Sequence, residues 1–305
     1  MTNDKNILNF VSGVKISIKE SGINSEKAST KINNYTFSDE DIEEMNIEIE
    51  KLLKQKVIIK SFHEDNEVIS NIFHRRKKDG SLRIILNIKK LNAQLETEKF
   101  KMHSVNSAIS LISKGCFMAS IDLSNAYFSV NIHREHQKFL KFFWNNVLYK
   151  FLVLPNGLCQ APFIFTKLTK PIYAYLHEKD HLITGYLDDS LLIGTSREEC
   201  VKNITDTAKI FMDLGFTVHK DKSVLSPTNE IEYLGHVLNS HSMTIRLTDN
   251  RLNKLRSTCH ECLQAECITI RFLAKLIGLM VAAFLAIPYG RLYYRALDNL
   301  KNKIP

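Results

Sequence analysis

Apolar residues recur at helical spacing in three parts of the chain. Ser38 and Asp41 resemble a capping box, which predicts the start of an amphipathic helix that runs to about Lys54. A second helix is predicted to end at Gly215, and Pro171 is expected to kink or shorten a third. Their apolar stripes are Ile42, Met45, Ile49, Leu52 and Leu53; Val201, Ile204, Ala208, Phe211 and Leu214; and Phe165, Leu168, Ile172 and Tyr175. Each helix therefore has one face suited to burial.

Short apolar runs between these helices predict strands. Residues 68–73 and 82–88 flank the hairpin signal Asp79-Gly80, and residues 181–194 are apolar on both sides of two Asp, which indicates a second hairpin. Further strand candidates are residues 116–123, 147–154, 216–218 and 231–238, and the pattern is helical from Leu247 onward. This order predicts an α+β fold, with a domain built on an antiparallel sheet and a helical subdomain after it.

Local composition divides the chain into three parts. Residues 1–36 are rich in Asn, Ser and Lys and lack sustained periodicity, so we interpret them as a polar extension before a domain of residues 37–245 and a helical end of residues 246–305. The longest apolar run, residues 276–288, has 13 residues, fewer than the ~20 that a membrane-spanning helix needs. No membrane partner is expected. The six irregularly spaced cysteines and the absence of a secretory signal favour an intracellular protein, in the cytoplasm or the nucleus.

Charge is distributed unevenly along the chain, whose formal net charge is +8. Nine Lys or Arg face three acids in residues 71–101, and ten face four in residues 246–305, so each segment carries a net charge of +6. Residues 37–50 carry seven carboxylates and no base. The basic segments favour a polyanionic partner, and a merely solvated surface is the alternative.

Three carboxylates stand in otherwise apolar segments. Asp188 and Asp189 lie at the bend of the predicted hairpin, and Asp122 ends a separate predicted strand. Burial of an unpaired charge costs several kcal/mol, so these groups need compensation. Three carboxylates from two sheet segments suit two Mg²⁺ ions about 3.5–4 Å apart. The alternative is a turn signal at Asp188-Asp189 and a strand-end cap at Asp122.

The blocks around these acids resemble the reverse transcriptase family of nucleic-acid polymerases. The matching blocks, in chain order, are KKDGSLR (residues 77–83) with Leu91-Asn92, SIDLSNAYF (120–128), LPNGLCQAP (154–162), YLDD (186–189), Lys222-Ser223 and YLGH (233–236). The resemblance runs from about residue 40 to the end of the chain. Several blocks are most similar to DIRS-type, tyrosine-recombinase retrotransposons, and next to gypsy-like elements.

The resemblance implies a right-hand polymerase, with fingers and palm in residues 37–245 and a thumb-like subdomain in residues 246–305. It implies that Asp122, Asp188 and Asp189 are catalytic and bind two Mg²⁺ ions, with Mn²⁺ as an alternative. The backbone carbonyl of Leu123 would be a further metal ligand. Lys222 matches a lysine that would protonate the departing pyrophosphate, although an exposed loop lysine is the alternative.

The same resemblance implies a nucleotide site and a primer grip. The substrate-binding residues would be Lys77, Lys78, Arg83, Ala126, Tyr127, Asn156 and Gly157, and the primer grip would be Tyr233, Leu234, Gly235 and His236. Tyr127 would exclude a ribose 2′-hydroxyl, with core packing as its alternative role, and an ordinary strand is the alternative for the primer grip. Asn156 stands where retroviral enzymes often have Gln, and Asn87 where many relatives have Asp.

The predicted function is that of a retrotransposon RNA-directed DNA polymerase, a nucleotidyltransferase that extends a primer 3′-hydroxyl with deoxynucleoside triphosphates. Expected partners are an RNA or DNA template with its primer, and further domains of the same polyprotein such as RNase H. One alternative is a catalytically inactive nucleic-acid-binding remnant, and another is a polymerase or cyclase that shares only the palm architecture. Cys259, Cys262 and Cys267 are interpreted as buried small hydrophobic residues rather than zinc ligands, and the aromatic residues of 139–149 as core.

Overall fold

The computed structural model describes residues 4–30, 37–76, 80 and 82–303. Its helices are α1 (Lys5–Ser12), α2 (Ser25–Ala28), α3 (Asp39–Lys54), α4 (Lys89–Asn92), α5 (Val105–Ile109), α6 (Ala161–Glu178), α7 (Arg197–Asp213), α8 (Asp249–Gln264), α9 (Ile270–Ala283), α10 (Gly290–Tyr293) and α11 (Arg295–Lys303), with 3-10 helices at Ala126–Ser129 and Arg134–Phe139. Its strands are β1 (Ile58–Lys60), β2 (Ile72–Arg76), β3 (Leu82–Leu86), β4 (Phe117–Asp122), β5 (Lys141–Trp144), β6 (Val147–Phe151), β7 (Leu182–Tyr186), β8 (Asp189–Gly194), β9 (Val224–Thr228), β10 (Glu230–Tyr233), β11 (His236–Asn239) and β12 (Thr244–Leu247). The predicted α+β class is confirmed.

A four-stranded antiparallel sheet forms the centre of the molecule, in the order β7-β8-β4-β9. Strands β7 and β8 are the hairpin predicted around the two aspartates. Helix α7 packs against β4, β8 and β9, and α6 packs against β7. Phe165, Ile172, Ile204 and Phe211 of their apolar stripes are buried in the main hydrophobic core, as the helical spacing predicted. Val201 and Leu214, at the two ends of the α7 stripe, are exposed instead.

Three smaller antiparallel sheets surround the central one: β2-β3, β1-β6-β5 and β10-β11-β12. The β2-β3 pair confirms the predicted hairpin, whose turn residue Asp79 lies outside the described residues. Strand β2 begins at Ile72, later than the predicted start at residue 68. The single strand expected over residues 231–238 is instead the hairpin β10–β11, because Leu234 and Gly235 both have positive φ (47° and 77°) and reverse the chain. Of the predicted strand at residues 216–218, only a single bridge from Val218 is present.

Helix α6 continues through Pro171, although proline was expected to kink or shorten it. Proline removes one backbone hydrogen bond from a helix. Residues on both sides of it, among them Phe165, Ile172 and Leu176, are buried in the core. Burial of these side chains therefore stabilises the full length of the helix, because each contributes about 1.5–3 kcal/mol.

Part of the predicted polar extension is packed onto the rest of the molecule. Val14 pairs with Ile132, Ile18 pairs with Leu95, and Val14 and Ile16 are buried. Val14, Ile16 and Ile18 alternate with the polar residues Lys15 and Ser17, a short period-two signal for a strand that the prediction of a polar extension missed. The described part of residues 1–36 is thus held by local strand-like pairing.

The helical end begins slightly later than its predicted boundary after residue 245. Strand β12 crosses that boundary, and α8 starts at Asp249.

Of the three cysteines expected to be buried, Cys259 and Cys262 are partly buried and Cys267 is exposed. In the part of the chain that the structure describes, no helix has both the length and the apolarity needed to cross a membrane.

A buried lysine of β5 connects the sheet β1-β6-β5 to the loop that follows β1. The Lys141 ammonium, which is 0% exposed, lies 2.6 Å from a Glu67 carboxylate oxygen and 2.9 Å from one of Glu64, and it donates to the carbonyl of Phe62 at 2.7 Å. Lys141 holds the pKa of Glu64 below its usual range. Burial would raise the pKa of Glu67, but Lys141, His63 and the backbone N–H of Glu64 together lower it. Nearby, Trp144 is buried and packs edge-on against Phe37, which confirms the predicted core role of these aromatic residues.

We expect Lys141→Met to destabilise the protein by about 3–5 kcal/mol, because removal of the ammonium leaves the largely buried Glu67 carboxylate uncompensated. Chemical denaturation would measure the loss. Lys51→Met is the matched control, since Lys51 pairs with Glu48 at the surface and an exposed pair contributes at most about 1 kcal/mol. Equal losses in the two variants would contradict the role of the buried network.

Candidate active site

Three aspartates meet at one end of the central sheet. Asp122 is the last residue of β4 and is paired in register with Asp189, the first residue of β8. Asp188 lies in the turn before it, and its carbonyl accepts a hydrogen bond from the backbone N–H of Leu123 at 3.0 Å. Antiparallel pairing therefore brings together carboxylates that are 67 positions apart in the sequence.

The turn that presents Asp188 is tight and conformationally costly. Only Leu187 and Asp188 separate the paired residues Tyr186 and Asp189, and Leu187 has a φ of 55°, which is unfavourable for a non-glycine residue. Behind the turn, a Cβ atom on Gly185 would lie 2.0 Å from the hydroxyl of Tyr173. Glycine is thus required where the hairpin crosses α6.

The electrostatics of the three carboxylates are unfavourable without a counter-charge. Burial, together with Asp188 and Asp122, raises the pKa of Asp189 to about 6. Burial and then Asp188 raise the pKa of Asp122, while Lys222 and His219 act in the opposite direction. The Asp122 and Asp189 side chains are also hydrogen bonded to each other. The site therefore holds a proton or a cation more readily than isolated aspartates would.

A loop after α7 supports Asp122 from the other side. The hydroxyl of Ser223 accepts a hydrogen bond from the backbone N–H of Asp122 at 3.0 Å and donates to the carbonyl of His219 at 2.7 Å. The N–H of His219 donates to the carbonyl of Asp122 at 2.8 Å. These hydrogen bonds bring Lys222 close to the aspartates. The role of Ser223 was not predicted, although it stands in the Lys222-Ser223 block.

The donor set is suited to hard divalent cations. Carboxylate oxygens are the ligands that Mg²⁺ prefers, and two of these three carboxyl groups have raised pKa values that a cation would relieve. Among the described residues, no group of three or more His, Cys, Asp or Glu side chains has the arrangement of a complete set of metal ligands. Asp122, Asp188 and Asp189 are the residues that would hold such a cation.

Tyr127 lies beside the aspartates. The 3-10 helix that carries it begins after Asn125, whose φ is 48°, and its ring contacts Phe165 edge-on at 5.7 Å between centroids. Burial, then Asp188, raises the pKa of Tyr127 to about 12, while Arg83 acts in the opposite direction. The structure thus brings Arg83, on β3, and Tyr127 to the same side of the site. Ala126, next to Tyr127, is buried.

The loop of Asn156 and Gly157 is pressed against the strand that carries Arg83. Gly157 has a φ of 106°, and a Cβ atom there would lie 2.9 Å from the carbonyl oxygen of Leu86. Only glycine meets both conditions. Asn156 is partly exposed in the same loop. Lys77 and Lys78, the other predicted substrate-binding residues, lie outside the described residues.

The segment predicted as a primer grip contacts the β7–β8 hairpin that carries Asp188 and Asp189. The Tyr233 hydroxyl donates to the carbonyl of Asp189 at 3.5 Å. Leu234 and Gly235 form the turn after it, and Arg251 of α8 lies beneath Gly235, where a Cβ atom would be 2.1 Å from the guanidinium. His236 is buried, and burial and then Arg251 lower its pKa. The turn therefore joins the aspartates to the helical end of the chain.

Comparisons with known proteins agree with this geometry. Residues 75–238 match the family described as "Reverse transcriptase (RNA-dependent DNA polymerase)". The chain belongs to the reverse transcriptase family. The family's enzyme class is that of RNA-directed DNA polymerases, which are nucleotidyltransferases, as the sequence blocks predicted.

Relatives of this reverse transcriptase include polyproteins of transposons. The chain is 21% identical over 206 residues to the "Retrovirus-related Pol polyprotein from transposon 412" of Drosophila melanogaster, covering 67% of this chain and 16% of the relative. It is 21% identical over 245 residues to the "Transposon Tf2-3 polyprotein" of Schizosaccharomyces pombe, covering 80% of this chain and 18% of the relative. The chain thus spans less than a fifth of these relatives.

Solved reverse transcriptases share the fold. A foamy viral protease-reverse transcriptase in complex with dsDNA has a TM-score of 0.75 and 22% identity, covering 96% of this chain and 57% of that one. The same kind of protein in complex with an RNA/DNA hybrid has a TM-score of 0.72 and 20% identity, covering 97% and 36%. The predicted right-hand polymerase fold is confirmed.

We expect Asp189→Asn to raise the melting temperature of the metal-free reverse transcriptase at pH 8 by a few degrees. The raised pKa means that this carboxyl stabilises the fold only while protonated, and that contribution is lost as the pH rises through about 6. The same variant should lose most of the stabilisation that the wild type gains from added Mg²⁺. Thermal melting with EDTA and with Mg²⁺ would measure both effects.

Asp213→Asn is the control for this experiment, because Asp213 is an exposed carboxylate at the end of α7. It should retain the full Mg²⁺-dependent increase. A wild type whose melting temperature does not respond to Mg²⁺, or a metal-free Asp189→Asn variant that melts earlier than the wild type, would contradict the assignment.

Proposed function

We propose that this chain is the polymerase of a retrotransposon, which extends a primer on an RNA or DNA template with deoxynucleoside triphosphates. The observation that carries the proposal is the meeting of Asp122, Asp188 and Asp189 beside Tyr127 and Arg83. Carboxylates of this kind hold the cations of phosphoryl-transfer enzymes, and a guanidinium suits phosphate oxygens. The geometry supports binding of a nucleoside triphosphate between them.

The three aspartates would hold two Mg²⁺ ions, with Mn²⁺ as an alternative and the carbonyl of Leu123 as a further ligand. When bound, the ions supply positive charge to the attacking and leaving oxygens. Asp122 and Asp189 are rigidly placed by the β4–β8 pairing, and Asp188 by the tight turn. Preorganised ligands of this kind cost little reorganisation during the reaction.

The chain's other residues bind and orient the substrates. Arg83, with Lys77 or Lys78, would bind the triphosphate, and the turn of residues 233–236 would hold the primer terminus. The primer 3′-hydroxyl loses its proton to solvent as its oxygen forms a bond to the α-phosphorus, and the bond from that phosphorus to the bridging oxygen breaks. The Nζ of Lys222 would give a proton to the departing pyrophosphate, and its proximity to Asp122 supports this role.

The sugar side of the nucleotide site would be formed by Tyr127 and its neighbours. Its ring is supported by Phe165 and would occupy the volume that a ribose 2′-hydroxyl needs. Ala126, Asn156 and Gly157 would line the same side. This arrangement supports selection of deoxynucleotides.

The wider context of the proposal follows from the charges and the relatives. The basic segments of residues 71–101 and 246–305 would bind the template–primer duplex through its phosphates. Complexes of foamy viral enzymes with dsDNA and with an RNA/DNA hybrid support such a partner. We place fingers and palm in residues 37–245 and the thumb-like part in residues 246–305, in a DIRS-type element. Other domains of the same polyprotein, such as RNase H, would be partners at an intracellular site of action.

Asp188→Asn is expected to abolish primer extension while duplex affinity stays within about twofold. Loss of a metal-binding carboxylate removes stabilisation of several kcal/mol from the transition state, whereas duplex binding rests on many phosphate contacts. Extension assays with Mg²⁺ and binding titrations would measure the two quantities. Asp180→Asn, at the other end of the same hairpin, should retain extension. Substantial extension by Asp188→Asn would overturn the proposal, and an inactive wild type would favour a nucleic-acid-binding remnant.

Tyr127→Val is expected to raise ribonucleotide incorporation relative to deoxynucleotide incorporation by roughly ten- to a hundred-fold, because misplacement of a reacting group by ~1 Å costs ~10²-fold in rate. The ratio of kcat/KM values for the two nucleotides measures this change. Phe128→Val, an equal truncation on the same 3-10 helix, should leave the ratio unchanged. An unchanged ratio in Tyr127→Val would make Tyr127 a packing residue.

A further inference from the structure

Asn92, the last residue of α4, reaches the loop between β6 and α6 with both ends of its amide. Its Nδ2 donates to the carbonyl of Gly157 at 2.9 Å, and its Oδ1 accepts from the N–H of Cys159 at 3.0 Å. The two contacts need a donor and an acceptor side by side, which an amide provides and a carboxylate does not. The side chain therefore bridges two backbone groups that lie two residues apart.

The bridged loop is also pressed against the fingers strand β3. Gly157 lies so close to Leu86 of β3 that a Cβ atom would be 2.9 Å from its carbonyl oxygen. Asn92 follows β3 by six residues. One short segment of the chain therefore contains both the strand that the loop packs against and the side chain that holds the loop there. A shift of this loop away from β3 would require both Asn92 hydrogen bonds to break.

The start of α6 is fixed by a second side-chain amide. Gln160 is 7% exposed and accepts from the N–H of Ser17 at 3.0 Å, while its Nε2 donates to the carbonyls of Ser17 and Glu96, each at 2.7 Å. Glu96 lies only four residues after Asn92. The segment of residues 92–96 thus contacts the end of the loop next to α6 at Gly157, Cys159 and Gln160, and the packed amino-terminal residues reinforce the contact at Gln160.

The loop connects the two sides of the proposed nucleotide site. Arg83 lies on β3, against which the loop packs, and Phe165 lies on α6, which the loop precedes. Phe165 in turn supports the Tyr127 ring at 5.7 Å. The distance between Arg83, on the triphosphate side, and Tyr127, on the sugar side, therefore depends on the position of this loop.

We propose that Asn92 is a positioning residue for the incoming nucleotide, which clamps the Gly157 loop to β3 and so sets the spacing between Arg83 and Tyr127. This inference rests on the proposed function. Asn92 contacts backbone atoms and need not touch the nucleotide. Its loss should impair nucleotide use far more than duplex binding, because the basic surfaces that bind phosphates do not depend on the clamp.

The test compares Asn92→Ala and Asn92→Asp with the wild type. We expect kcat/KM for deoxynucleotides to fall roughly ten- to a hundred-fold, mainly through KM, since small displacements of bound substrate have effects of this size. Asn92→Asp should fall as well, because its carboxylate still accepts from Cys159 but repels the Gly157 carbonyl. Template–primer affinity should stay within about twofold. Hydrogen exchange of the Cys159 amide should accelerate in Asn92→Ala, independently of catalysis.

Asn229→Ala is the matched control, because Asn229 also bridges two backbone carbonyls with its amide, those of Gly115 and Cys116 at the far end of β4. It should leave the KM for deoxynucleotides unchanged. An unchanged KM in Asn92→Ala with faster Cys159 exchange would overturn the positioning role, and unchanged exchange would overturn the clamp itself. A wild type without extension activity would instead overturn the proposed function, whatever the exchange result.

Discussion

The structure must hold together carboxylates that repel one another at one end of the central sheet, and the elements around them are arranged to meet this constraint. Asp122 and Asp189 are directly paired between β4 and β8, and Asp188 is adjacent in the turn. Burial and like charge raise the pKa values of the first two. A fold optimised only for stability would avoid such an arrangement. The surrounding elements hold these groups together against that cost.

Several contacts counter this repulsion without neutralising it. Ser223 and His219 bond to the backbone of Asp122, and Tyr233 bonds to that of Asp189. The turn accepts a positive φ at Leu187, a local strain that the packing of the hairpin on α6 maintains. Because these bonds involve backbone atoms, the carboxylate oxygens are not consumed by them. The scaffold is therefore rigid in the backbone while its charged oxygens can still bind cations.

The second organising feature is the junction between β3 and the loop before α6. Asn92 and Gln160 bridge backbone groups from segments far apart in the sequence, and Gln160 also joins the amino-terminal residues to this junction. The part of the chain that reads as a polar extension thus contributes to the shape of the site. Side-chain amides suit this task because each can donate and accept at once.

Local sequence determined several elements of this protein and the family to which it belongs. Helical spacing predicted α3, α6 and α7, and the apolar run interrupted by Asp188 and Asp189 predicted the hairpin and the acids at its bend. Motifs at ordered positions predicted the family. These features depend on neighbours within a few residues, which is the range over which periodicity and turn chemistry act.

Tertiary structure alone decided the rest. The pairing of Asp122 with Asp189, the turn at Leu234-Gly235, the burial of Val14 and the clamp of Asn92 all join residues through long-range contacts or through conformations that packing selects. Helix α6 continues through Pro171 because burial on both sides outweighs one lost hydrogen bond. Sequence propensity describes the conformation that a segment prefers in isolation. These features are instead stabilised by contacts with residues that are distant in the sequence and that only the fold brings near.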